Sequence, residues 1–176
     1  MQIHWYPGHM VKTRKMIREN LKLVDVVLKL VDARAPMSSE LPDTEELVGN
    51  KNIIYVLNKA DLADKVITDL WLQEYKTKGI EAIAVDTLSR RGLNNLLSLI
   101  KNNTTNKKSK IRPPRCMIIG VPNVGKSSII NQLARRRSAK TADVPGVTRS
   151  KMWLKVGKEL ELLDTPGILW PKFSDK

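Results

Sequence analysis

Apolar residues fall along this chain in short runs separated by stretches of helical period. Residues 24–31 are largely β-branched and apolar and end at Asp32; 53–57 repeat the pattern and end at Asn58; 80–85 form a third run. Runs with so little polar alternation are the mark of strands buried on both faces. Between them, 64–78 and 93–101 read as helices. Strand–helix–strand alternation predicts parallel pairing in a layered α/β fold. The pattern breaks at 101–115, which holds Lys101, Lys107, Lys108, Lys110, Arg112 and Arg115, no acid, and Pro113-Pro114. This stretch reads as a connector, either solvated or facing nucleic acid. Beyond it, 115–119 predicts a strand and 126–136 a helix. Residues 153–156 and 159–163 predict two strands turning at Gly157-Lys158, and 12–20 an N-terminal helix with a basic face.

A chain of 176 residues is enough for one domain with a full core and short of what two would need. Its 41% hydrophobic and 28% charged residues are the balance of a soluble globular protein, and no apolar run approaches a membrane span. The charge changes the picture. Thirty-one Lys and Arg against eighteen Asp and Glu leave +13, which points to a polyanionic partner, nucleic acid or an anionic membrane. Four Trp, three Tyr and one Phe are too few for a broad base-stacking platform. The single cysteine, Cys116, sits in an apolar run and reads as a reduced core residue. Residues 1–10 lack the basic-then-apolar layout of a signal peptide, so a cytosolic protein is expected.

Candidate chemistry begins at Gly120-Val121-Pro122-Asn123-Val124-Gly125-Lys126-Ser127, which fits G-x-x-x-x-G-K-[ST] between a predicted strand and a predicted helix. Glycines let the backbone curl so that N–H groups converge on phosphate oxygens, and the following helix adds its positive N-terminus. Pro122, Asn123, Val124, Gly125, Lys126, Ser127 and Ser128 form the expected cradle. Lys126 would reach the β and γ phosphates, and the Ser127 hydroxyl would ligate Mg²⁺. A second motif, Asn58-Lys59-Ala60-Asp61, follows the strand at 53–57. A carboxylate at Asp61 can accept from guanine N1–H and its exocyclic amine. Adenine offers neither donor there and would leave the carboxylate unpaired, at a cost of order 1–3 kcal/mol. The Lys59 stem can lie along the base, and Asn58 can brace the loop.

Asp164-Thr165-Pro166-Gly167 follows the last predicted strand. Asp164 would hold a Mg²⁺-bound water, and the Gly167 N–H could touch a γ-phosphate. Between this segment and the cradle, Thr148 is the candidate to complete the Mg²⁺ shell; its alternative is an ordinary loop threonine. Both segments are loops that a γ-phosphate could order and hydrolysis release.

The order of these motifs is informative. A Ras-like GTPase meets the cradle first, then the switches, then the base reader. Here the base reader comes first and Asp164–Gly167 last. Joining the usual ends through the connector at 101–114, and opening new ends after the second switch, explains this rotation. With that order, Trp5-Tyr6-Pro7-Gly8-His9-Met10 and Asp32-Ala33-Arg34-Ala35-Pro36, the chain resembles the circularly permuted YlqF/RbgA GTPases of large-subunit ribosome assembly. The resemblance implies a Ras-like P-loop fold, a mostly parallel sheet flanked by helices. It implies one permuted domain over 1–176, with a base-recognition half at 1–100 and a cradle-and-switch half at 115–176. The family's C-terminal helical domain is then either absent here or removed. It implies GTP and GDP with Mg²⁺, the large ribosomal subunit or ribosomal RNA as partner, no membrane, a monomer and a cytoplasmic location. Where the family carries a Ser-Ala contact to the guanine O6, this chain reads Val85-Asp86-Thr87-Leu88-Ser89, and Thr87 is the residue named for it.

Ras-like enzymes orient the attacking water with a Gln just after D-x-x-G. Ile168, Leu169 and Trp170 stand there instead, so intrinsic turnover is expected to be slow. Of the two histidines, His4 and His9, the second lies in Pro7-Gly8-His9, expected as a turn that presents an imidazole beyond a helix start. The resemblance implies the same His9 as the catalytic candidate; an exposed or capping histidine is its alternative. Asn123 is similar to the asparagine that helps cation-activated GTPases hold K⁺, or else braces its loop. The leading expectation is a GTP hydrolase, with Lys126, Thr148 and His9 as its catalytic set. The second is a GTP-gated RNA- or protein-binding module with incidental hydrolysis; an adenine-specific kinase is opposed by Asp61.

Overall fold

The computed structural model describes residues 7–104, 112–135, 141–142 and 152–164. Its elements in chain order are α1 (Pro7–Leu21), β1 (Val26–Asp32), α2 (Thr44–Val48), β2 (Asn52–Asn58), a 3₁₀ turn (Ala60–Leu62), α3 (Lys65–Thr77), β3 (Glu81–Ala84), α4 (Leu93–Asn102), β4 (Arg115–Ile119), α5 (Lys126–Arg135), β5 (Thr141–Ala142), β6 (Met152–Val156) and β7 (Leu160–Asp164). The strands form one sheet in the order β3-β2-β1-β4-β7-β6-β5. From β3 through β7 every pair is parallel, and β6 and β5 add an antiparallel edge. The first three strands step outward from β1 to one edge. The chain then returns, so that β4 pairs along the other side of β1.

The central strands are buried on both faces, which is why they read as near-continuous apolar runs. On β1, Val26, Leu28 and Leu30 face α4 and α5, joining Leu93, Leu96, Ile100, Ile129 and Leu133 in one core. The odd positions face the opposite layer. Val27 packs with Ile17 and Leu21 of α1 and Leu47 and Val48 of α2, while Val31 packs with Tyr55, Leu57 and Tyr75 beneath α3. Lys29 lies between these two clusters and is fully buried. Its ammonium donates to Tyr55 Oη at 3.0 Å and to Glu40, and stands 4.6 Å from the Tyr55 ring centroid. Buried charge on a parallel strand needs this kind of enclosure by partners.

The structure moves several expected boundaries. The first strand starts at Val26 rather than 24, because Asp25 turns its carboxylate to Arg112 (2.8 and 3.1 Å) and to the Arg115 N–H (2.8 Å). Glu159 belongs to the turn before β7: its N–H donates to Val156 O at 3.1 Å, with Gly157 at φ 56°. Lys101 and Asn102, expected in the connector, finish α4, while Arg112 is docked on Asp25; 105–111 lie outside the described residues. The N-terminal helix begins at Pro7 rather than at residue 12. α2, the 3₁₀ turn and β5 are additional elements, each too short to show a period.

Candidate functional site

Chemistry-bearing residues gather at the carboxyl ends of β1, β2 and β4. The chain leaves β1 for β2 on one side and reaches β4 on the other, so these ends form a topological switch point, where α/β folds bind ligands. The 120–125 loop links β4 to α5. A Cβ on Gly120 would stand 2.8 Å from the Leu30 carbonyl oxygen, so only glycine lets the loop leave so close to β1. Asn123 at φ 65° and Gly125 at φ 98° are left-handed, the alternation that turns successive N–H groups to one side. Val124 is buried, Pro122 half-buried, and Ser127 and Ser128 are exposed at the start of α5. Asn123 is exposed.

Lys126 is 6% exposed, and its ammonium donates to the carbonyls of Gly120 (2.9 Å) and Val121 (2.7 Å). Burial brings it down from the ordinary 10.5 to about 8. No acid pairs with it among the described residues. A cation held in a curled loop against neutral carbonyls keeps an uncompensated charge, and phosphate is an anion that fits that donor set.

The base-reader segment is tied directly to this loop. Asn58 is buried; its Nδ2 donates to Val124 O at 2.9 Å, and its Oδ1 accepts from the Thr87 hydroxyl at 2.6 Å. Gly125 makes room for that amide, since a Cβ there would sit 2.1 Å from Asn58 Nδ2. Lys59, left-handed at φ 60°, sends its ammonium to Asn123 O at 2.6 Å. Asp61 lies exposed in the 3₁₀ turn, which is bound to the 85–89 loop through Ala60 N–H to Val85 O at 3.1 Å. Thr87 is buried with its hydroxyl on Asn58, so its side chain braces the reader.

Two further members, Asp32 and Arg34, appear in the sequence analysis only as part of a family-like segment, with no role in the site. Asp32, paired in register with Asn58, accepts from Lys59 Nζ at 3.2 Å. Arg34 grips the same carboxylate through Nε (2.9 Å), Nη2 (2.7 Å) and its own N–H (3.0 Å), and holds the Asp32 carboxyl well below the usual carboxylate range. The available signal was position: an acid closing the strand next to the base reader's strand.

Other expected members are not brought in. Thr148 and Gly167 lie outside the described residues; Asp164 closes β7, but its side chain lies outside them. Pro7-Gly8-His9 is the first turn of α1 rather than a turn ahead of a helix, a correction with a simple cause: proline at the first helical position has its φ preset and lacks only an unused N–H. The His9 side chain lies outside the described residues. Among the described residues no group of three or more His, Cys, Asp or Glu could hold a metal, which leaves Ser127 as the described oxygen donor beside the phosphate position.

The family model described as "50S ribosome-binding GTPase" matches residues 115–176. Ribosome biogenesis GTPase A of Bacillus licheniformis is 51% identical over 183 residues, covering 100% of this chain and 65% of the relative. The Priestia megaterium protein of the same name is 50% identical, over 100% of this chain and 64% of its own length. Among solved structures, GNP-bound YlqF from T. maritima superposes with a TM-score of 0.63 at 29% identity, over 93% of this chain and 61% of that one. The chain belongs to the YlqF/RbgA family of circularly permuted GTPases. Membership fits the motif order: in this chain the base reader after β2 precedes the cradle after β4, the permuted arrangement. The chain spans less than two thirds of the length of these relatives, 65% and 64%.

Proposed function

We propose that this chain binds GTP and GDP with Mg²⁺ and hydrolyses GTP during assembly of the large ribosomal subunit. The observation that carries the reading is the union of reader and cradle: Asn58 and Val124, sixty-six residues apart in sequence, share a 2.9 Å hydrogen bond over a glycine that leaves room for it. Lys126 and the cradle N–H groups would hold the phosphates, Asp61 the guanine edge, and Ser127 with Thr148 and Asp164 the Mg²⁺. Bound there, Mg²⁺ offsets negative charge on the phosphate oxygens. Asn123, exposed at the cradle rim, is the K⁺ candidate, and His9 the water-positioning candidate. The domain reading stays that of one permuted unit: 1–100 for the base, 101–114 as connector, 115–176 for cradle and switches.

The partner in this reading is ribosomal RNA of the large subunit, met by a cytoplasmic monomer. A net charge of +13 supports it, with Lys12, Lys15 and Arg18 exposed along α1 and Lys22 exposed just after it. No helix among the described residues is long and apolar enough to cross a membrane. The decisive experiment is GTP turnover with and without large subunits, in K⁺ and in Na⁺. Strong acceleration by subunits is expected; turnover that ignores them favours a GTP-gated binding module. An Asp61→Asn protein should gain affinity for xanthine nucleotides, and ATP competing equally with GTP would overturn the base assignment. His9→Ala should cut subunit-stimulated turnover at saturating GTP and leave GTP affinity near normal; unchanged turnover would leave the ribosome as donor of the positioning group.

A further inference from the structure

Lys59 and Asp61 are two residues apart with opposite charges, yet they do not pair. Asp61 makes no hydrogen bond or ion pair among the described residues, and its carboxylate stays open for a ligand. The Lys59 ammonium is drawn the other way. It bridges Asn123 O at 2.6 Å and Asp32 Oδ2 at 3.2 Å. The neutral carbonyl alone is a weak competitor for a flexible ammonium; the Asp32 carboxylate is a strong one. Asp32 is itself held from several sides. Arg34 occupies both its oxygens, and its own N–H donates to Ser39 Oγ at 2.7 Å. Arg34 also feels the charge of Asp61 without bonding to it.

We infer that Asp32 is a positioning residue for guanine nucleotide binding: held by Arg34, it draws Lys59 away from Asp61 and fixes the lysine stem where the base will lie. The inference rests on the guanine reading above. Its physical content is preorganisation. A lysine stem loses rotamer freedom when a base lies along it, and here that loss is taken on folding, before the nucleotide arrives. Asp32 also acts as the counter-ion that Asp61 would otherwise become. Without it, the base would have to break a Lys59–Asp61 pair in order to reach the Asp61 carboxylate.

The test is the dissociation rate of mant-GDP from the full chain, measured by stopped flow on displacement with unlabelled GDP. Asp32→Asn keeps the shape and removes the charge; it should raise the rate about tenfold, equivalent to about 1.4 kcal/mol. In a Lys59→Met background the same substitution should change the rate by less than about twofold, because Asp32 acts through that lysine. A merely structural Asp32 would give the same factor in both backgrounds, which overturns the proposal, as does an unchanged rate in Asp32→Asn. Arg34→Ala, on a half-exposed side chain, gives a second reading should Asp32→Asn fold poorly. It should raise the rate about threefold and lose that effect in Lys59→Met, and an unaltered rate counts against the relay. Failure of the unsubstituted protein to bind mant-GDP is a separate result: it overturns the guanine reading itself and this inference with it.

Discussion

Lys126→Met should leave the nucleotide-free protein about as stable at neutral pH while removing its nucleotide binding. Lys126 is 6% exposed, and its ammonium meets two neutral carbonyls, at 2.9 and 2.7 Å. Its fall from 10.5 to about 8 is caused by burial. At 1.36 kcal/mol per factor of ten, that fall corresponds to about 3 kcal/mol of charging cost carried by the folded state. Methionine fills a similar volume without the charge. Against this stand the two lost hydrogen bonds from a charged donor, about 1.5 kcal/mol each, so at neutral pH the two effects nearly cancel. The sign with pH follows from linkage. Between about pH 8 and 10.4 the folded lysine binds fewer protons than the unfolded one, so this contribution to stability rises with pH; below 8 the full penalty is present. Burial raises the Cys116 thiol and the Tyr55 and Tyr75 hydroxyls, and these pull stability the opposite way in alkali, so the variant-minus-parent difference is the quantity to read. Urea melts of both apo proteins at pH 7.5, 8.5 and 9.5 supply it. The methionine variant should match its parent at pH 7.5 and fall steadily behind it by pH 9.5. A variant that is less stable at pH 7.5, by an amount constant through pH 9.5, would refute the reasoning.

Gly125→Ala forces a Cβ to 2.1 Å from Asn58 Nδ2 at φ 98°, so it should cost about 2–4 kcal/mol in a urea melt and weaken nucleotide binding; a change under about 0.5 kcal/mol would mean the brace is dispensable. In the buried cluster the two ends are unequal. Glu40→Ala should destabilise by about 2–3 kcal/mol because it strips a fully buried ammonium, whereas Lys29→Met should cost under about 1 kcal/mol because Glu40 and Glu45 can turn to water; equal costs in thermal melts would contradict this. In acid, Asp32, gripped by Arg34, and Asp25, whose bonds to Arg112 and Arg115 outweigh its burial, both sit below their unfolded values. Their stabilisation is therefore full above about pH 4 and lost as pH falls through the folded-state values, and an Asp25→Asn, Asp32→Asn protein should show a flatter acid melt than its parent.

The sequence alone determined the elements and the motifs. Val26–Asp32, Asn52–Asn58 and Arg115–Ile119 were legible because strands buried on both faces need apolar side chains at nearly every position. The cradle and the base reader were legible because each packs its chemistry into a few adjacent residues, and their reversed order showed the permutation before any strand was placed. Tertiary structure decided whatever depends on residues far apart in the chain. Asn58 reaching Val124, Thr87 bracing Asn58 and Asp32 holding Lys59 all follow from sheet order, which brings β1, β2 and β4 side by side and which no local period encodes. Lys29 shows the same limit from within a strand. Its place in an apolar run predicts only a buried position, and the enclosure by Tyr55 and Glu40 that makes burial of its charge tolerable comes from a neighbouring strand and a loop that meet only in the folded protein.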